Sequence, residues 1–398
     1  MNASETLKSS LNSDVSISIA KVNISPRVDL LTDIKDDELK FTLSGVNVSI
    51  ANSLRRILLS EIPMVVFKVA PNDKNKCTVI TNTCGLHNEI VKHRLSCIPI
   101  NITNAEDFNL KKYILEINVQ NDTDTTIYVT SKDFRLKEVG TENYLPEEEL
   151  RKIFPPNPTT NDYIDFVRLK PKPAEEIKSK TIHLTCEFDI GTAHEDGAYN
   201  AVSTCAYGNT IDVPAQEAKL QQLKHTWKET DGKNVKEVEF EAVNWKLLEG
   251  KRIFKKDSFD FIIQTVGVYT NYELMDISCK IMMNKLKNLG SIIEKNELEV
   301  KVADNTMKNC YDIILDHEDY TVGKVIEYFM NVNFYETKIL TFCGFKMSHP
   351  HDTYCTIRVA YKEPMELTSV KGHVTECVVD SIEVFKKINK EFMKLVPR

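Results

Sequence analysis

Two small clusters in this chain carry residue types that bind transition metals. Cys84-x2-His87 and His93-x3-Cys97 supply thiolate and imidazole ligands at spacings compatible with a tetrahedral zinc site. His93 and Cys97, however, sit inside an apolar Leu-x-x-Ile-Pro stretch where packing is the simpler role, and no metal is assigned. A second set, Cys343 and Cys355 with His349 and His351, is weaker, because alternation along a strand sends neighbours to opposite faces. His194-Glu195-Asp196 offers acid and base groups in sequence, yet it reads better as an exposed acidic turn. The chain has no Walker-type phosphate loop, no Gly-x-Ser-x-Gly and no carboxylate cluster at metal spacing, so neither catalysis nor a cofactor is expected. Arg55 and Arg56 are the remaining suggestive pair, since a planar guanidinium makes bidentate bonds to carboxylates and backbone carbonyls. Adjacent arginines cannot both lie on one buried helical stripe, so at least one should face a partner. As merely solvated helix charges they would form salt bridges worth only ~0–1 kcal/mol.

The element that positions these arginines occurs twice. Residues 40–58 and 312–330 superpose without a gap at an offset of 272 positions, each pairing a short apolar strand with an amphipathic helix. Ser49 falls on Thr321, and either hydroxyl could cap its helix. Ile50, Leu54, Ile57 and Leu58 form the first stripe; Val322, Ile326, Phe329 and Met330 form the second. Two copies are too few for a solenoid, which needs at least about three. They imply two similar half-domains on one polypeptide, packed on each other like a heterodimer. The fold class is therefore α+β, with Phe385, Ile388 and Phe392 of a last helix joining the same interface.

With 398 residues the chain is long enough for two or three domains, and its composition, 42% apolar and 27% charged, is that of a globular protein. A net charge of −7 argues against tight nucleic-acid binding, which is dominated by Lys and Arg. The N-terminus lacks a secretory pattern and the apolar runs are short, so no membrane span is expected and the natural location is intracellular. Ten cysteines without a CxxC pair read mostly as small buried hydrophobes in a reducing compartment. The expected organisation is a disordered tail at 1–15, a strand over 15–22, and a discontinuous first half-domain at 16–70 and 241–295. A β-rich insert occupies 71–240, marked by its many prolines, and a second half-domain occupies 296–398. A helix over about 272–294 closes the first half.

Ser44–Pro63, with its core Asn52-Ser-Leu-Arg-Arg-Ile-Leu-Leu-Ser-Glu-Ile-Pro63, resembles the signature of the alpha-like subunits of multisubunit RNA polymerases. Lys92-His-Arg-Leu-Ser-Cys-Ile-Pro99, residues 169–177 and the glycine-led loop 191–202 resemble further stretches of the large alpha-like subunit, in the same order. Glu318-Asp-Tyr-Thr-Val-Gly323 and Cys343-Gly-Phe-Lys-Met-Ser-His-Pro350 resemble the small one. Large and small subunits on one polypeptide resemble the arrangement in large DNA viruses. The resemblance implies a non-catalytic assembly platform in transcription, partnered by two large catalytic subunits and by small assembly subunits. It places Asn52, Arg55, Arg56, Gly191, Tyr199 and Asn200 at large-subunit contacts. It also implies a location in the host cytoplasm and the virion, with the nucleus as an alternative. Many eukaryotic large alpha-like subunits hold zinc through a four-cysteine loop, but the corresponding stretch 101–110 has no cysteine. The helix after Gly323 lacks the family's arginine. The rival reading is a DNA-binding processivity clamp, which also duplicates α+β halves and requires basic helices around a central hole. Joining the halves covalently would replace a bimolecular association by one at an effective concentration of order mM.

Overall fold

The computed structural model describes residues 24–31, 38–104, 108–172, 178–304 and 307–396; the expected tail at 1–15 and strand at 15–22 lie outside the described residues. The chain is an α+β protein built on antiparallel sheets, and it divides into two compact units. One contains 24–57, 204–264 and 275–396, and the other contains 58–203 and 265–274.

The first unit holds two four-stranded antiparallel sheets with the same plan. In one, the spatial order is Arg27–Leu30, Glu38–Ser44, Phe254–Thr265, Val202–Ile211; in the other it is Glu299–Val302, Cys310–Asp316, Tyr354–Tyr361, Leu340–Lys346. Numbered along the chain, each sheet runs first, second, fourth, third. In each, the second strand feeds a short amphipathic helix, Val48–Ser60 or Tyr320–Met330. The fourth feeds a long one, Asn271–Glu294 or Leu367–Met393. The duplicated sequence thus corresponds to a duplicated topology.

Each short helix forms because its apolar positions recur at helical spacing and its first turn is capped. The caps are not the hydroxyl residues expected from the sequence. Asn47 Oδ1 accepts from the Ser49 N–H at 2.9 Å, and Asp319 Oδ1 accepts from the Thr321 N–H at 2.7 Å. Asn47 and Asp319 obey the same offset of 272, two residues before the aligned pair. Asn47 and Asp319 occupy the cap position itself, and Ser49 and Thr321 the second helical position, which leaves the Thr321 hydroxyl for another bond. Gly323 is required by close packing: a Cβ there would stand 2.2 Å from the Phe345 ring and 3.2 Å from Cys355 Sγ.

The second unit is rich in strands. Its five-stranded sheet runs Met64–Phe67, Lys180–Gly191, Tyr113–Asn121, Arg135–Glu138, with Cys77–Asn82 also paired to Lys180–Gly191. Strand Ile127–Thr130 pairs with Asp165–Leu169 separately. Phe67, Phe134, Phe154 and Phe166 fill its core. The expected insert extended to 240, whereas 204–240 clusters with the other unit and is largely helical over Val213–Glu229. Asp212 caps that helix, and an Asn234/Glu237 capping box opens the next, Val235–Leu247. Good helix formers in this stretch outweigh the strand character of the insert.

Candidate assembly interface

The bonds between the first and second repeats lie within one compact unit. Arg56, half-buried on its helix, donates from Nε to the Thr321 hydroxyl at 2.9 Å and from Nη2 to the Asp319 carboxylate. Its guanidinium also stands 6.0 Å from the centroid of the Tyr320 ring. Asp319 therefore does two things: it caps its own helix and grips an arginine from the other repeat. Burial opposes its ionisation, but hydrogen bonds from Thr321 and the Arg56 charge outweigh that, holding the carboxyl below the usual carboxylate range.

Apolar contacts continue the seam. Phe41 stacks on its cross-strand partner Phe261 at 5.1 Å and meets Phe392 of the C-terminal helix edge-on at 5.2 Å. A Cβ at Gly290 would come within 3.8 Å of Val378, so the two long helices approach closely there. Polar links flank the apolar ones. Asn389 donates to Asp276 Oδ1 at 2.9 Å, Lys387 donates to the Ile24 carbonyl at 3.2 Å, and Lys285 pairs with Glu318 at 3.5 Å. Ile50, Leu54, Ile57, Val322, Ile326, Phe329, Met330, Phe385, Ile388 and Phe392 are all buried. Leu58 is buried too, and the division between the two compact units falls just before it, within the same helix.

The residues expected at large-subunit contacts separate into three kinds. Arg56 is engaged inside the chain by the bonds above, a role that the helical wheel could not distinguish from an outward-facing one. Arg55 is half-exposed and donates from Nε to Asn52 Oδ1 at 3.1 Å, while its Nη groups have no partner among the described residues. Gly191 and Tyr199 serve each other: a Cβ on Gly191 would lie 2.8 Å from the Tyr199 ring and 3.0 Å from Val66 Cγ2. Tyr199 is only 3% exposed, and burial pushes its pKa up to about 12. Asn200, next to it, is exposed.

The loop that carries them is pinned by ionic bonds. Lys68, nearly buried, reaches Glu195 at 2.9 Å and Asp189 at 3.7 Å, and Lys76 reaches Asp189 at 3.1 Å. Burial alone would lower the Lys68 pKa, but its bond to Glu195 and the two carboxylate charges raise it. His194 donates its backbone N–H to the Ser60 carbonyl at 2.8 Å, and Asp196 caps the single turn Gly197–Tyr199. The acidic triplet is thus a structural turn.

The metal candidates are not gathered. Cys84 Sγ is within 3.5 Å of the Leu86 backbone, His87 precedes helix Asn88–Ser96 as an exposed residue, and His93 and Cys97 lie at the far end of that helix. Arg94 of the same helix donates to the Phe166 and Asp165 carbonyls at 2.6 and 2.8 Å, fastening it to a neighbouring strand. Cys343 pairs with Val359 and Cys355 with Leu315 in the ladder, while His349 and His351 lie in the connection between those strands. Among the described residues, no group of three or more His, Cys, Asp or Glu side chains could hold a metal ion, and no helix is long and apolar enough to cross a membrane.

Comparison with known families decides the identity of this framework. Residues 40–286 match the RNA polymerase Rpb3/Rpb11 dimerisation domain. The chain belongs to the Rpb3/Rpb11 dimerisation-domain family. The matched segment includes Arg55 and Arg56 and ends inside the long helix Asn271–Glu294, so the second repeat lies beyond it. Similar proteins include a DNA-directed RNA polymerases I and III subunit, rpac1, of Dictyostelium discoideum, 26% identical over 72% of this chain and 87% of that protein. The RNA polymerase subunit Rpo3 of Methanosphaera stadtmanae is 24% identical over 66% of this chain and 97% of its own length. A conjugation stage-specific protein of Tetrahymena thermophila is 25% identical over 67% of this chain and 94% of itself.

Proposed function

We propose that this dimerisation-domain protein is a non-catalytic assembly subunit of a DNA-directed RNA polymerase that supplies both halves of the dimer from one polypeptide. The observation that carries this reading is the grip of Arg56 on Asp319 and Thr321 across the two repeats, in a chain whose first repeat lies within the matched family segment. The matching 1-2-4-3 strand order of the two sheets supports it. In this reading residues 298–396 act as the built-in partner and fix the stoichiometry. The fused arrangement resembles that of large DNA viruses, which would place the protein in viral factories of the host cytoplasm and in the virion.

The two large catalytic subunits then dock on surfaces the seam leaves open. Arg55, with free Nη donors beside Asn52, takes the contact that the sequence shared between two arginines, and Asn200 presents the rim of the pinned loop. Gly191 and Tyr199 act indirectly, by holding that loop in shape. Nucleic acid is not held tightly by this subunit alone. The test is affinity purification of the full-length chain with mass spectrometry of what accompanies it. Two large polymerase subunits are expected with the wild type, and their yield should fall severalfold with Arg55→Ala while the variant stays folded. Unchanged recovery with Arg55→Ala removes the role given to that residue, and recovery without any large polymerase subunit removes the function.

A further inference from the structure

The strand-rich unit holds a pair of facing cysteines that assembly does not use. Strands Cys77–Asn82 and Lys180–Gly191 run antiparallel with Cys77 directly opposite Cys186. Facing residues in such a ladder alternate between pairs that exchange backbone hydrogen bonds and pairs that do not, and side chains come closer in the second kind. Cys77 and Cys186 are of the second kind. The adjacent rung is made by the Glu187 N–H donating to the Lys76 carbonyl at 3.2 Å. Cys77 satisfies its own backbone elsewhere, donating to Asn75 Oδ1 at 3.0 Å and accepting from Asn75 Nδ2 at 3.1 Å. A pair of this kind has its Cα atoms about 4.5 Å apart, inside the range of about 4.4–6.8 Å that a disulfide spans. Elsewhere in the sheets, Cys310, Cys343 and Cys355 face Ala360, Val359 and Leu315.

We propose that Cys77 and Cys186 are a thiol-oxidation site, forming a reversible cross-strand disulfide that staples the strand Cys77–Asn82 to the central strand Lys180–Gly191. The oxidant is a small dialkyl disulfide. Its sulfur is attacked by the Cys77 thiolate, releasing one small thiol and leaving a mixed disulfide; the Cys186 thiolate then attacks Cys77 Sγ and expels the second thiol. Two electrons and the two thiol protons pass to the reagent, which leaves as two thiols. Cys186 lies inside a long strand with its thiol donating to the Glu187 carbonyl at 3.5 Å, whereas Cys77 begins its strand, which makes Cys77 the first nucleophile. Both side chains are buried in the reduced protein. Access comes from fraying at the strand end, because Cys77 is its first residue and, among the described strands, only Lys180–Gly191 pairs with it.

The experiment incubates the folded full-length chain with hydroxyethyl disulfide to equilibrium, blocks remaining thiols with iodoacetamide and maps non-reduced peptides by mass spectrometry. The expected result is a Cys77–Cys186 linked peptide that dithiothreitol abolishes, a loss of two of the ten thiols, and slower deuterium uptake across residues 77–82. Cys77→Ala and Cys186→Ala should each abolish the linked peptide; the wild-type measurement decides even if either variant fails to fold. Recovery of both residues as alkylated thiols or stable mixed disulfides, or of Cys77 joined mainly to another cysteine, overturns the proposal.

Discussion

Removing Arg56 should loosen the seam between the repeats by an amount the geometry sets. Its guanidinium bonds a carboxylate and a hydroxyl of the other repeat, and hydrogen bonds involving a charged group contribute about 1.5–3 kcal/mol when well shielded. The two ionic side chains are 32% and 35% exposed, so solvent screening pulls their mutual attraction toward the ~1 kcal/mol of a favourable surface pair. Arg56→Ala also takes a partner from the Thr321 hydroxyl, whose residue is 1% exposed, at a further cost of ~1 kcal/mol. The expected total is about 2 kcal/mol. Asp319→Ala should cost a similar amount, because it loses the same ion pair and a helix cap worth ~1 kcal/mol. In a double-mutant cycle followed by equilibrium urea unfolding, the shared part should appear as a coupling of about 1 kcal/mol. Its pH dependence has a fixed sign. The folded Asp319 carboxyl titrates below its ordinary value, so its contribution is complete above the unfolded pKa of about 3.9 and is lost as pH falls through the lower folded value. A coupling indistinguishable from zero at neutral pH, or one that persists unchanged in strong acid, would refute the reasoning.

Other perturbations report on neighbouring parts of the molecule. Gly191→Ala sets a methyl group 2.8 Å from the Tyr199 ring and should cost about 1–3 kcal/mol in urea unfolding, with the loop around Asn200 exchanging deuterium faster. Phe392→Ala empties the space beside Phe41 and should destabilise by about 3–5 kcal/mol, read from the same unfolding curves. Lys68→Met keeps length but removes the nearly buried cation that reaches Asp189 and Glu195; Asp189 keeps Lys76, so the acid side of the thermal-stability profile should flatten only in part, by the share of the lowered Asp189 pKa that Lys68 supplies. Elemental analysis of the pure full-length chain should find no stoichiometric zinc, and binding at one equivalent would reopen the Cys84, His87, His93, Cys97 candidate.

Much of the fold is legible in the sequence because it is written twice. The offset of 272 exposes the strand-and-helix unit, and the apolar stripes name the buried faces of both short helices. Capping was legible only in part, since Asn47 and Asp319 lie at the same offset but outside the apolar pattern that drew attention to Ser49 and Thr321. Which arginine turns inward could not be read at all. Adjacent residues on a helix point about 100° apart, and only the position of Asp319, more than 260 residues away, makes Arg56 the seam residue, while Arg55 bonds Asn52 of its own helix. Gly191 and Tyr199 carried a family likeness without its mechanism, because a missing Cβ acquires meaning only when a ring is seen against it. The charged stretch 219–236 reads as a solvated helix and turn, but it blurred where the insert ends, and the Asn234/Glu237 capping box marks a further helix start there.

The central claim is that the two repeats hold each other within a single chain. Lys285 of the long helix Asn271–Glu294 and Glu318 of the second repeat approach to 3.5 Å, close enough for zero-length carbodiimide coupling between the two half-domains. Equal amounts of ¹⁴N- and ¹⁵N-labelled full-length protein should be mixed, coupled and digested. Lys285–Glu318 linked peptides should be wholly light or wholly heavy. Light–heavy hybrids at comparable yield, or no such link in the folded protein, would contradict it.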